Sequence, residues 1–239
     1  MLKQEHFVSD RVWNYRFDWT EKDLYLNGKR KFIKQNLNLE LKDKERVIER
    51  LFLSAKYLFD FCVVTLENEI GCPIRLEKVF GRNKRVPLET VFNDEVFDFS
   101  FGAPNTEWRY ITINTDSLAD ITEKILNGKE STDVEREKYI EDWCQYLEGA
   151  MVQELAHVLF LEDTIKSSKS KELFVNQMSN YPKLDDEVSL ENRRKKYLTT
   201  DIEKHGRLVE VDFLQRIYPN SWALAWCEED VKEVKELIS

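Results

Sequence analysis

Apolar residues recur at helical spacing from position 43 to about 69, where Val47, Leu51, Leu53, Tyr57, Leu58, Phe61 and Cys62 trace a face, and Gly71 followed by Pro73 supplies a stop. The pattern predicts one long helix. Three short runs at 74–80, 96–101 and 108–114 then carry strand character, separated by turn-forming stretches such as Gly102, Ala103, Pro104 and Asn105. They predict a small, mostly antiparallel sheet. Asp116 or Ser117 caps a helix that ends at Leu126 before Asn127 and Gly128. Another helix starts near Asp133 and runs through Gly149, a point at which it could bend. Helices are also expected over 201–218, closed by Pro219 and Asn220, and over 222–237, with Trp222 and Trp226 one turn apart. The fold class is therefore α+β, mainly helical.

Two regions break this regularity. In the first 40 residues Trp13, Tyr15, Phe17 and Trp19 alternate with polar residues as in a half-buried strand, so 1–42 is expected to be an appended segment, a small hairpin, before a domain over 43–239. Residues 163–200 are polar and weakly periodic, the signature of an inserted flap or binding loop.

The 13 residues 149–161, GAMVQELAHVLFL, are apolar on nearly every side except at Gln153, Glu154 and His157. A helix apolar all round belongs in an interior. Polar groups there need partners, because each one left unsatisfied costs about 1–3 kcal/mol. The run QELAH resembles the H-E-x-x-H motif of the zincin metallopeptidases, in particular the short gluzincins and the ImmA/IrrE-like peptidases, with Gln153 where the first His would stand. An amide oxygen is a weak, uncommon zinc donor.

What the resemblance implies is a zincin-like core, plausibly over 43–220, with Glu154 as general base, His157 as ligand, zinc as cofactor if the site is active, and a third ligand from the following helix. It also implies that strand 108–114 borders a cleft and pairs with an extended substrate by strand addition. Two registers compete for the third ligand. Treating Asp212 as the acid that supports a ligating His puts Leu208 at the ligand position and leaves no metal site. Helical periodicity instead sets Glu203 and Glu210 within roughly 20° of each other on the apolar face of 201–218 and puts His205, Asp212 and Arg216 on the wet side. Glu210 is the residue expected to face Gln153 and His157. The alternative is that Glu203 or Glu210 bonds an arginine such as Arg207.

Composition narrows the function classes. With 42% apolar residues the 239-residue chain can bury a sizeable core, and no apolar run nears the roughly 20 residues of a membrane span. The N-terminal residues lack the pattern of a signal peptide, so a cytoplasmic location is the expectation. Cys62, Cys72, Cys144 and Cys227 show no C-x-x-C spacing and read as reduced, structural thiols. A net charge of −9 argues against nucleic acid as partner, and the basic clusters at 29–31, 82–85 and 193–196 read as solvated. The favoured reading is a catalytically degenerate metallopeptidase-like scaffold without cofactor that binds a protein or peptide. Two alternatives stay open: an active zinc peptidase with Glu154 as base and His157, Glu210 and, weakly, Gln153 as ligands, and an unrelated helical interaction or nucleic-acid-binding protein.

Overall fold

A computed structural model describes residues 22–79, 99–101, 109–128, 132–166 and 200–238. The described elements are α1 (Lys22–Asn36), α2 (Asp43–Ile70), β1 (Ile74–Val79), β2 (Phe99–Phe101), β3 (Arg109–Asn114), α3 (Thr115–Leu126), α4 (Asp133–Lys166), α5 (Asp201–Ile217) and α6 (Trp222–Ile238). The protein is mostly helical, and none of the described helices is long and apolar enough to cross a membrane.

The centre is the 34-residue helix α4, packed along α2 on one side and α5 on another. Its start is a reciprocal cap that the threonine at 132 makes possible: the Glu135 N–H donates to Thr132 Oγ1 (3.2 Å) and the Thr132 N–H to Glu135 Oε2 (3.1 Å). Helix α2 ends as the sequence predicts, with Gly71 at φ 76° in the left-handed region that glycine reaches without Cβ strain. Helix α3 begins one or two residues before the expected cap, because Asn114 Oδ1 accepts the Asp116 N–H at 2.9 Å.

The sheet departs from the antiparallel expectation. Its order is β1-β3-β2, and the six-residue pairing of β1 with β3 is parallel; only the three residues of β2 run antiparallel to β3. The central strand is buried on both faces, with Ile111, Thr112, Ile113 and Asn114 all inside, as a strand covered on two sides must be. A buried ion pair between Arg109 and Glu162 ties its start to α4.

The region 22–36, part of the expected appended hairpin, is a helix built into the core. Tyr25 and Lys29 are buried, and both reach Glu148 of α4. Lys29 also corrects the solvated reading of cluster 29–31, since a fully buried carboxylate lies opposite it. The alternating aromatics at 13–19, the basic clusters 82–85 and 193–196, and most of the polar segment 163–200 lie outside the described residues; α4 continues to Lys166. Cys62, Cys144 and Cys227 are buried and Cys72 is half-buried. Burial pushes the Cys62 thiol up, and that of Cys144 to about 12, so both stay protonated.

Candidate functional site

Helices α4 and α5 run antiparallel, as their contacts show: His157 and Gln153 meet Glu203 and Gly206, while Gly149 meets Glu210 and Leu214. The approach is close because Gly206 has no side chain. A Cβ there would stand 2.5 Å from His157 Nε2 and 2.8 Å from Gln153 Cγ. The polar residues of QELAH are thereby pressed against the backbone of α5.

Polar side chains pair across this contact and along each helix. Gln153 Nε2 donates to Glu203 Oε2 at 3.1 Å. His157 lies between two carboxylates, with Nδ1 at 3.3 Å from Glu154 Oε2 and Nε2 at 3.7 Å from Glu203 Oε2. One turn along α5, Arg207 donates to Glu210 Oε2 at 2.8 Å. Gln153, His157, Glu203, Arg207 and Glu210 are all buried, and Glu154 is partly so.

Burial alone would pull the His157 pKa down, but the charges of Glu203 and Glu154 outweigh it and hold the imidazole above its ordinary value. Burial likewise raises the Glu154 carboxyl, against the opposing pull of His157. His157 and Glu154 therefore hold protons more firmly than they would in water. His205 behaves oppositely: burial first, then the charge of His157, lowers its pKa to about 3, so it is a neutral imidazole at ordinary pH.

These donors do not fit the zinc that the sequence resemblance implies. A catalytic zinc needs three protein ligands and an open position. Here two strong donors, His157 Nε2 and Glu203 Oε2, approach each other, while Gln153 turns its amide N–H, not its oxygen, toward Glu203. Among the described residues no group of three or more His, Cys, Asp or Glu side chains could hold a metal ion.

The structure brings together Gln153, Glu154 and His157 but sets Glu203, not the expected Glu210, against Gln153 and His157. Both glutamates lie on the buried face, as their angle requires. They are seven residues apart, however, which is roughly 10 Å along the axis, and the height of Glu210 matches Gly149. Glu210 instead takes the arginine partner named as the alternative. Leu208 is half-buried, and Asp212 pairs with Arg216 on the exposed side as expected. His205 is a correction: it is not on the wet side but buried, its ring centroid 6.1 Å from that of Phe160 on α4.

The strand-addition expectation fails for residues 111–113. With β1 on one side and β2 on the other, β3 is central, and the stretch 111–113 has both edges hydrogen-bonded.

A second polar centre went unread in the sequence. Glu148, fully buried, accepts the Tyr25 hydroxyl at 2.7 Å, the Tyr218 hydroxyl at 2.6 Å and the Ser54 hydroxyl, and its Oε1 lies 2.7 Å from Lys29 Nζ. The available signal was position: Glu148 directly precedes the apolar run, four residues after buried Cys144 on the same helix face. No family model, curated protein or solved structure matches the chain.

Proposed function

We propose that the chain is a catalytically degenerate counterpart of the zincin metallopeptidases, in which the helix-to-helix site has become a proton-holding clamp, and that it acts by binding a protein or peptide rather than by cutting one. The observation that carries this reading is the bond from Gln153 to Glu203. At the position where an imidazole would offer a lone pair, an amide offers an N–H, and the carboxylate that would face a metal is spent on accepting it. His157 is flanked by two carboxylates, whose charges hold its imidazole pKa above the ordinary value and so favour a proton over a metal on the ring. On this reading, what remains of a peptidase architecture without its reaction is recognition of polypeptide.

The test is metal content and cleavage together. Wild-type protein purified without chelator and then given zinc is expected to retain far less than one ion per chain, whereas Gln153→His, which restores an imidazole four residues before His157, is expected to take up zinc and to lose it again when Glu203→Gln is added. Near-stoichiometric zinc in the wild type, or peptide cleavage abolished by Glu154→Gln, overturns the proposal.

A further inference from the structure

A cavity of about 610 Å³ opens between α1, α2, α4 and the end of α5, remote in role from the His157 cluster and independent of the function proposed for it. Its size suits a small organic molecule. Helix α1 and the residue just after it form a wall on which Lys29, Arg30 and Lys34 supply cations and Leu26, Ile33 and Leu37 supply apolar surface. Across the opening stand a fourth cation, Arg50, and a single acid, Glu141. Four cations thus line one space in a chain whose net charge is −9.

Two of these cations are already matched. Lys29 Nζ lies 2.8 Å from Glu141 and 2.7 Å from Glu148, and donates to the Tyr218 hydroxyl at 3.1 Å. Arg50 pairs with Glu137 and reaches Glu141 at 3.5 Å. Arg30 and Lys34 form no ion pair among the described residues, and they stand four residues apart on one helix, where like charges repel. The floor is rigid, since Lys29 and Tyr218 are both held by the buried Glu148. Two unmatched cations beside an apolar wall, above a fixed polar floor, have the complementary chemistry of an anion attached to an apolar body.

We propose that this cavity binds a small organic anion, with its carboxylate or phosphate on Arg30 and Lys34 and its apolar part along Leu26, Ile33 and Leu37. Calorimetric titration of the full chain at low ionic strength tests it with 2-naphthoate, 1-naphthyl phosphate, the neutral 2-naphthol and inorganic phosphate as probes. At least one naphthyl anion is expected to bind with a dissociation constant of about 0.1–1 mM, the range open to a ligand of that size, and more weakly as salt is raised. The doubly substituted Arg30→Gln/Lys34→Gln protein changes only exposed positions, and its circular dichroism should match the wild type. Its affinity should fall at least tenfold, about 1.4 kcal/mol. No binding of either anion at 5 mM probe (on the order of the weakest affinity worth reading), equal affinity in the double variant, or 2-naphthol binding as tightly as the anions overturns the proposal. Inorganic phosphate binding as tightly as naphthyl phosphate overturns the role of the apolar wall, and capture by anionic lipid vesicles without binding of the soluble probes overturns the assignment to a small molecule.

Discussion

Replacing Gly206 with alanine puts the packing of α4 on α5 to a direct test. The new Cβ would stand 2.5 Å from His157 Nε2 and 2.9 Å from Cδ2. Relief requires roughly 0.9 Å of movement to reach ordinary contact. The imidazole cannot swing away easily, because it is buried and held between Glu154 and Glu203. Overpacking of this kind costs about 1–3 kcal/mol, and loss of the charged hydrogen bond from Gln153 to Glu203 adds about 1.5–3 kcal/mol. Alanine recovers about 1 kcal/mol of helix propensity. The expected net loss is about 1.5–5 kcal/mol, which in a chain of this length lowers the melting temperature by about 3–20 °C.

Gly149→Ala is the internal comparison. Its Cβ would meet Glu210 Oε1 at 3.0 Å and Leu214 Cδ1 at 3.3 Å, contacts that a small shift of a carboxylate end relieves, so the net change should stay within about 1 kcal/mol once propensity is counted. Urea unfolding followed by far-ultraviolet circular dichroism measures both. A Gly206→Ala protein as stable as the wild type, or less affected than Gly149→Ala, would refute the close approach on which the site is built.

Three further outcomes follow from the polar clusters. Glu148→Ala strips three hydroxyls of their acceptor and leaves Lys29 with Glu141 as its one carboxylate among the described residues, at an expected cost of about 3–5 kcal/mol; adding Lys29→Met should recover at least about 1 kcal/mol of it, and a Glu148→Ala protein within error of the wild type in urea would show the network to be inconsequential. With His205 near 3 when folded and at its ordinary value when unfolded, the unfolded chain binds the extra proton in between, so stability must fall as pH drops from about 6.5 toward 3. His205→Phe should therefore flatten unfolding free energy against pH in that window, and an unchanged slope would contradict burial of a neutral imidazole. The raised His157 and Glu154 act with the opposite sign: the folded protein holds more protons, and the stability they contribute is lost as pH rises through their folded values. His157→Gln should reduce that loss at rising pH, and an unchanged dependence in the same titration of stability would refute it.

Local pattern determined much of this molecule. The period of apolar residues marked α2, α4, α5 and α6 to within a few residues, Gly71 marked a helix end, and the three polar residues in an otherwise apolar run marked the site, because burial of such groups demands partners wherever they occur. Periodicity also placed Glu203 and Glu210 on the buried face. It could not choose between them, since an angle about a helix axis says nothing of height along it, and the height was decided by how α5 slides against α4, with Gly206 seated on His157. The same limit applies elsewhere. Strand direction in the sheet belongs to the pairing of β1 with β3, not to either strand. The burial of Lys29 depends on a carboxylate 119 positions away, Glu148, and that of His205 on Phe160. Sequence periodicity reported which side of α5 faces inward for Glu203 and Glu210 but not for His205, which is buried against its angle; what stands opposite, and therefore whether a charge is neutralised or a nitrogen left able to bind metal, is a property of the assembled helices alone.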